Sequence, residues 1–419
     1  MAVTLNDRNT IAFVAPVLTA IGPETPQVAV GDSKGFEVPT AVTQTLGALS
    51  EIQLSNLSAA ISAEFPGTQP AMQSTIAPAM TLSPSGQTVR SGQRAALIAR
   101  TEGNGLVTYE WRRNGVVVPA QASPILRLES VAAADAGDYT VTVTNALGSV
   151  TSAGARLTVD ESAEGRLVNL SSNAYSGVGA DQLVPSFVAQ GSMRLLIRAV
   201  GPTLETFGVL GVLADPALEV RDGERVLGSN GNWGDDGGQI VANTAATALI
   251  YDYAGGPRSA PVSDVSSEGG TALVEVYEVA TEGRTGRLVN LATRGVVQSG
   301  KSLVAGFVIG GTGARTVLIR GIGPALGGFG VPGVLVDPTL TLKAGSVSLV
   351  TNDDWGSDPF NQELVRSIGR TAGAFSLPEG SADAGIVITL SPGLYTVEIA
   401  GKDSASGVVL AEIYDVTDI

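Results

Sequence analysis

The second half of the chain contains the same sequence pattern twice, and this duplication limits the folds that are open to it. Residues 165–170, GRLVNL, return as residues 286–291, and residues 273–279, LVEVYEV, return as residues 410–416, LAEIYDV. The copies lie 121 residues apart at their start and 137 residues apart at their end. The sequence therefore predicts two similar folding units, the second of which carries an insertion.

Each copy consists of short stretches of alternating apolar and polar residues, separated by Gly-Pro and Asp-Pro pairs that predict turns. Residues 195–202 and 317–324 are one matched pair of such stretches. Glycine is abundant at 53 residues and only 16% of residues are charged, which suits short strands better than charged amphipathic helices. We predict an all-β fold in which copy one (residues 165–280) and copy two (residues 286–419) each form a β-sandwich or jelly-roll-like domain. The extra length of copy two is assigned to residues 390–401, a hairpin-like strand that copy one lacks.

Residues 1–78 differ from the rest, because they contain seven prolines and few strand signals. Apolar residues at helical spacing predict one helix within residues 43–64. Its apolar face needs a partner, which is either the rest of this chain or the same helix in other subunits. We predict that residues 1–78 form a partly helical attachment or oligomerisation segment through which the chain self-associates.

Residues 79–160 carry two motifs of a known fold. Trp111 lies on a predicted strand, and residues 135–139, DAGDY, end on Tyr139 ahead of another strand. These motifs resemble immunoglobulin-like domains of the intermediate type, in which the tryptophan packs in the core and the tyrosine hydroxyl binds back to the backbone. Ala99 and Val141 stand about where that family has its inter-sheet disulfide. The resemblance therefore implies a cysteine-free version, as expected in bacterial or phage proteins.

The two copies together resemble a tandem β-repeat of surface or secreted proteins of environmental bacteria, where it often follows immunoglobulin-like domains. The resemblance implies display and adhesion, and it implies no catalytic activity. It is consistent with a modular protein that recognises a glycan or a protein on a surface.

Composition excludes most catalytic chemistry. The chain has no histidine and no cysteine, which rules out a Ser-His-Asp triad, a cysteine nucleophile and a zinc site of the usual ligands. Carboxylate chemistry remains, so a polysaccharide-acting hydrolase is the enzymatic alternative, although it needs two carboxylates about 5–10 Å apart. The formal charge of −15 disfavours nucleic acid and anionic membranes as partners. We predict a non-enzymatic protein with no catalytic residues and no cofactor other than calcium.

Two loops rich in Asn and Asp surround matched tryptophans, Trp233 and Trp355. Three interpretations are open: structural turns made by Asn and Asp side chains, a calcium site, or a sugar-binding platform on the two tryptophans. The residues that would ligate calcium are Asn230, Asn232, Asp235, Asp236, Asp353, Asp354 and Asp358.

Each copy also retains one arginine at the end of an apolar strand and one aspartate before a proline. We predict structural ion pairs between Arg198 and Asp215 and between Arg320 and Asp337. Glu275 and Glu412 lie between apolar residues on the closing strand of each copy. Simple alternation predicts that both face solvent.

The N-terminus gives no clear signal peptide, because residues 1–10 carry an acidic residue and Pro16 interrupts the apolar run that follows. No apolar stretch approaches the length of a membrane span, so we predict no membrane insertion. Two locations stay open. One is a secreted or cell-surface adhesin, and the other is a phage virion fibre or decoration protein that residues 1–78 anchor.

Overall fold

The computed structural model describes residues 4–5, 11–12, 76–103, 106–231, 246–265, 268–279 and 286–419. The predicted helix within residues 43–64 lies outside them, as does nearly all of the predicted attachment segment. Strands dominate the described residues, so the predicted all-β class is confirmed. In the first 78 residues, two short strands pair antiparallel, β1 (Thr4–Leu5) and β2 (Ile11–Ala12).

Ten strands follow between residues 79 and 159. They are β3 (Ala79–Leu82), β4 (Gln87–Val89), β5 (Ala95–Ile98), β6 (Arg100–Glu102), β7 (Thr108–Arg113), β8 (Val116–Val117), β9 (Ile125–Leu128), β10 (Gly137–Asn145), β11 (Gly148–Thr151) and β12 (Ala155–Val159).

The core of these strands forms around the two motif residues. Trp111 is fully buried and its indole N–H donates to the Ser123 carbonyl at 2.9 Å. The Tyr139 hydroxyl donates to the Asp135 carbonyl at 2.8 Å, which is the predicted corner. Ala99 and Val141 are buried in the same apolar cluster. Apolar packing therefore occupies the site where the resembled family has a disulfide.

The two copies contain equivalent strands in the same order. Copy one has β13 (Gly165–Ser176), β14 (Val184–Gln190), β15 (Met193–Val200), β16 (Pro216–Asp222), β17 (Arg225–Asn230), β18 (Ala246–Tyr253), β19 (Gly256–Ser259), β20 (Val262–Asp264) and β21 (Gly270–Val279). Copy two has β22 (Arg287–Val297), β23 (Ser302–Gly311), β24 (Arg315–Ile322), β25 (Pro338–Ala344), β26 (Val347–Asn352), β27 (Ala384–Leu390), β28 (Gly393–Gly401) and β29 (Gly407–Asp415).

The prediction for the extra length of copy two is wrong. Strands β19 and β20 together are the counterpart of β28. They pair with β14 and β16, and β28 pairs with the equivalent strands of copy two, β23 and β25. The insertion lies earlier, where copy two has helix α1 (Pro359–Ala372). Gly385 pairs with Arg320 as Ala248 pairs with Arg198, so Gly385 and Ala248 are equivalent. Trp355 precedes Gly385 by 30 residues, whereas Trp233 precedes Ala248 by only 15.

The two copies together form two sheets, and each of these sheets runs through both copies. Within copy one, β18, β15, β21 and β13 form one row, and β17, β16, β19 with β20, and β14 form the other. Strand β13 then pairs antiparallel with β23, and β14 with β22. The two copies therefore form one continuous double sandwich with one contiguous apolar core.

Equivalent residues of the two copies contact each other between β13 and β22. Leu167 bridges to Leu288 in parallel pairing, and the Ser172 hydroxyl shares a hydrogen bond with the Thr293 hydroxyl. The members of both pairs are 121 residues apart, as are the starts of the copies. The copies are therefore related by a pseudo-twofold axis that runs along the strands.

The first ten-strand domain packs against copy two rather than against copy one, its neighbour in sequence. The Ala314 amide, which precedes β24, donates to the Thr88 carbonyl at 2.8 Å. Gln87 donates to the Thr389 carbonyl at 2.9 Å, near the end of β27. This domain therefore occupies one end of the double sandwich.

Candidate interaction surface

The opposite end of the double sandwich carries one turn from each copy. Strands β13 and β22 run parallel to each other. In copy one, β21 is antiparallel to both β13 and β15, and in copy two, β29 is antiparallel to both β22 and β24. Strands β15 and β24 therefore end on the same side. Ala314, just before the start of β24, contacts the first ten-strand domain. The turns that follow the ends of β15 and β24 therefore lie remote from that domain. We call this the distal end.

Each distal turn is a short 3-10 helix whose backbone is closely fitted. A Cβ on Gly201 or on Gly323 would lie 2.0 Å from the carbonyl oxygen of Leu213 or of Leu335, so only glycine fits there. The turns end on Gly208 and Gly330, whose φ values of 79° and 76° favour glycine.

The turns expose large apolar side chains. Phe207 and Leu210 are 79% and 85% exposed, and Phe329 and Val336 are both 65% exposed. We call these four residues the distal tips. Single exposed apolar residues are common on protein surfaces, but Phe207 and Phe329 occupy equivalent positions in the two copies. The exposed aromatic ring is therefore a feature that both copies share at the distal end.

Behind the tip of copy two lies a buried charged cluster. Arg320 lies directly opposite Glu412 on the adjacent strand and donates through Nε to Glu412 Oε2 at 2.7 Å. The Tyr414 hydroxyl donates to Glu412 Oε1 at 2.9 Å. Burial, together with the Glu412 charge, raises the pKa of Tyr414. Both oxygens of the Glu412 carboxylate thus accept hydrogen bonds inside the protein.

Phe375, in the insertion of copy two, covers this cluster. Its ring centre lies 4.6 Å from the Arg320 guanidinium carbon, and its carbonyl accepts a hydrogen bond from Arg320 Nη1 at 2.6 Å. The same ring packs edge-on against Phe329, with the ring centres 4.9 Å apart. Phe375 therefore joins the charged cluster to the distal tip.

Copy one has the same cluster, and none of its described residues covers the arginine as Phe375 does in copy two. Arg198 lies opposite Glu275 and donates to it through Nε, and the Tyr277 hydroxyl donates to the other carboxylate oxygen. Burial and the hydrogen bond to Glu275 raise the pKa of Tyr277 to about 12. The Arg198 side chain is 42% exposed, against 2% for Arg320.

The predicted ion pairs between Arg198 and Asp215 and between Arg320 and Asp337 are wrong, as is the prediction that Glu275 and Glu412 face solvent. The arginines pair with these glutamates, which are 9% and 5% exposed. Asp337 pairs with Lys402 instead. The signal that could have identified the pairs is that both copies keep Arg in one strand and, in the closing strand, Glu two residues before Tyr.

The tryptophan loop of copy two is structural. Trp355 is 1% exposed and its indole N–H donates to the Ser381 hydroxyl, so it offers no ring face to a sugar. The prediction of a sugar-binding platform is therefore wrong at this position. Trp233 lies outside the described residues.

Two acidic residues of the same loop have protein partners. Asp358 caps helix α1 by accepting a hydrogen bond from the Phe360 amide at 2.9 Å, and Asp353 binds Lys402 Nζ at 2.7 Å. Burial and the charges of Asp353 and Asp337 raise the pKa of Asp354. These contacts match the structural-turn interpretation for copy two.

In the part of the chain that the structure describes, calcium binding stays a prediction, and Asp353 Oδ1 and Asp337 Oδ1 are buried there without a hydrogen-bond partner. There, no group of three or more acidic side chains is arranged to hold a metal ion. Asn230 is described and buried, and its side chain accepts a hydrogen bond from Thr247. Asn232, Asp235 and Asp236 lie outside the described residues, where calcium binding stays a prediction. Among the described residues, no helix is both long enough and apolar enough to cross a bilayer.

Comparisons with known proteins identify one region. The family model of the immunoglobulin domain matches residues 77–145. The chain contains an immunoglobulin-like domain. Such domains are typical of modular structural and binding proteins and are generally not catalytic. No curated protein matches the chain.

Three solved structures that resemble the chain each cover about a fifth of it. The titin M4 domain is 25% identical over 20% of this chain and 96% of that chain, with a TM-score of 0.19. The N-terminal four immunoglobulin domains of Dscam1 isoform 6.9 are 31% identical over 20% of each chain, with a TM-score of 0.18. The immunoglobulin-like domain of human leucine-rich repeat-containing protein 4 is 27% identical over 19% of this chain and 85% of that chain, with a TM-score of 0.17.

Proposed function

We propose that the chain is a non-enzymatic structural and binding module, displayed on a cell or particle surface, whose distal end adheres to a protein partner. The observation that carries this proposal is the pair of distal tips. They lie at the end of the double sandwich that the immunoglobulin-like domain leaves open.

The rigidity of the body supports this function. Both sheets continue through both copies, and the immunoglobulin-like domain is hydrogen-bonded to copy two through Gln87 and Ala314. A rigid body holds the two tips at a fixed separation, which lowers the entropy that binding must overcome.

The use of buried carboxylates also favours a structural role. Glu412 is held by Arg320 and Tyr414, and Asp415 is held by Arg315 at 2.8 Å. Asp383 is fully buried and accepts hydrogen bonds from the Gly323 amide at 2.8 Å and from the Ser381 hydroxyl at 2.7 Å. Each carboxylate stabilises a strand pair or a turn.

A protein suits the distal tips better than a glycan does. The tips combine aromatic and aliphatic side chains, which is the composition of the centre of protein interfaces. The aromatic platform predicted for sugars is buried at Trp355.

The test compares binding of the full-length chain to the surface of cells of the organism that encodes it. A tip variant, Phe207→Ser with Leu210→Ser and Phe329→Ser, should bind at least about tenfold more weakly, since hot-spot residues each contribute about 2 kcal/mol or more. The control, Val116→Ser with Val117→Ser, changes exposed residues of the immunoglobulin-like domain and should bind normally. Protease treatment of the target surface should abolish binding, and periodate should not. Equal binding by the tip variant, or loss of binding only after periodate, would contradict the proposal.

A further inference from the structure

We propose that copy one binds an aromatic side chain of a partner polypeptide between Phe207 and Arg198, in the position that Phe375 of the same chain fills in copy two. This inference rests on the proposed function and deepens it, because it states the chemistry that the partner must present.

Copy two shows which group fits between the aromatic ring and the guanidinium group. Phe375 contacts two residues in three ways: its ring packs against Phe329, its ring also faces the Arg320 guanidinium, and its carbonyl accepts a hydrogen bond from Arg320. A cation–π contact and a charge-assisted hydrogen bond thus recognise one residue through its side chain and its backbone together.

Copy one holds the same recognising groups in the same framework. Phe207 follows β15 as Phe329 follows β24, and Arg198 is oriented by Glu275 as Arg320 is by Glu412. Strand pairing and the carboxylate fix the guanidinium in place before anything binds. Little ordering cost therefore remains for the partner to overcome.

The copies differ in two ways at this position. The Arg198 guanidinium carbon lies 5.7 Å from the centre of the Tyr277 ring, and among the described residues no side chain fills the position that Phe375 fills in copy two. Phe207 is 79% exposed and the Arg198 side chain 42%, whereas the Arg320 side chain is 2% exposed beneath Phe375. Within the described ranges, Arg198 makes no contact like that of Arg320 Nη1 with the Phe375 carbonyl. Copy one therefore exposes both an apolar ring and part of a guanidinium group to solvent.

The chemistry favours a peptide over an anionic ligand. Arg198 is already paired with Glu275, so the pair is neutral and does not call for a negative charge. A backbone carbonyl next to an aromatic side chain meets both requirements, and every phenylalanine or tyrosine residue in an extended segment offers this pair. The formal charge of −15 also opposes binding to anionic lipid.

The insertion of copy two provides the probe. A fluorescent peptide of residues 371–379, TAGAFSLPE, contains Phe375 with its natural neighbours. Titrated with the full-length chain and followed by anisotropy, it should bind saturably. The peptide with Phe375→Ala should bind about tenfold more weakly, because it loses the cation–π and ring contacts.

Variants of the full-length chain locate the site. Phe207→Ala removes a highly exposed ring and leaves the fold intact, and it should weaken peptide binding about five- to tenfold. Arg198→Lys should also weaken binding, whereas the control Val116→Ala should not. Equal binding by Phe207→Ala and the unchanged protein, or equal binding of the two peptides, would overturn the inference.

Two further outcomes separate the alternatives. If sedimentation shows a dimer that Phe207→Ala dissociates, the occupant is a second copy of this chain, and the assignment to a partner is overturned. If the peptide does not bind while the tip variant still loses binding to cell surfaces, this inference fails and the proposed function stands.

Discussion

Arg320 and Glu412 face each other across two adjacent antiparallel strands, and their side chains are only 2% and 6% exposed. The equivalent pair of copy one, Arg198 and Glu275, has the same register with a half-exposed arginine. One chain therefore contains a buried and an open form of the same ion pair.

Breaking the buried pair should cost far more than breaking the open one. Arg320→Met leaves the buried Glu412 carboxylate without its guanidinium partner, which should lower the free energy of unfolding by about 3–5 kcal/mol. Arg198→Met should cost clearly less, since water reaches that pair, and Arg320→Met with Glu412→Leu should cost less than Arg320→Met alone. Urea unfolding followed by tryptophan fluorescence measures all three. Equal losses in the two copies would contradict this account.

The distal turns should not tolerate a side chain at Gly323. Alanine there would place its Cβ 2.0 Å from the Leu335 carbonyl oxygen, so the backbone must shift, at a cost of about 1–3 kcal/mol. At Gly327 of the same turn an added Cβ would meet no atom within 4 Å, and Gly327→Ala should change stability by no more than about 0.5 kcal/mol. Thermal unfolding of both variants tests the difference. A Gly323→Ala protein as stable as Gly327→Ala would show that the turn can move.

The tyrosine corner should stabilise the immunoglobulin-like domain in the absence of a disulfide. Tyr139→Phe removes the hydrogen bond to the Asp135 carbonyl and should cost about 0.5–1.5 kcal/mol. Tyr109 of the same domain makes no such bond among the described residues, so Tyr109→Phe is the matched control. Chemical denaturation of the two variants should give different midpoints, and identical midpoints would contradict the assigned role.

Asp354 should destabilise the protein at neutral pH. Burial and two neighbouring carboxylates raise its pKa above the ordinary 3.8, so the folded protein binds this proton more tightly than the unfolded chain does. Its ionisation therefore lowers stability as the pH rises through that range. Asp354→Asn, which introduces the residue that copy one has at Asn232, should raise the melting temperature at about pH 7 and leave it nearly unchanged at about pH 3. A lower melting temperature at pH 7 would show that the carboxylate has a favourable partner.

Alkaline pH should unfold the double sandwich through its tyrosines. Burial raises the pKa of Tyr277 and of Tyr395 from 10.0 to about 12. Between about pH 10 and pH 12 these two tyrosines are ionised in the unfolded chain and still protonated in the folded protein. The free energy of unfolding therefore falls as the pH rises through this range. The melting temperature should fall steeply above about pH 10, and less steeply in Tyr277→Phe with Tyr395→Phe. An equally steep fall in that variant would assign the loss to other groups.

Motifs that act locally could be read from the sequence, whereas contacts between distant strands could not. The spacing around Trp111 and Tyr139 predicts a domain, because each residue has a fixed role in it. Simple alternation wrongly predicts that Glu412 is exposed, because it assumes that one face of the sheet is solvated. Helix α1 and Phe375 cover that face. The pairing of β13 with β23 could not be predicted either. Both copies have the same apolar pattern, and that pattern does not indicate which copy supplies the neighbouring strand. The burial of Trp355 follows from the same insertion.

The pseudo-twofold contact between Ser172 and Thr293 lies where each repeat completes the sheets of the other. Expressed alone, a single repeat would leave the edges of β13 and β14, or of β22 and β23, without neighbours, and such edges recruit strands from other molecules. Fusion of the repeats in one polypeptide supplies those neighbours within the molecule. The architecture is thus that of a pseudo-symmetric dimer whose two subunits are joined in one polypeptide.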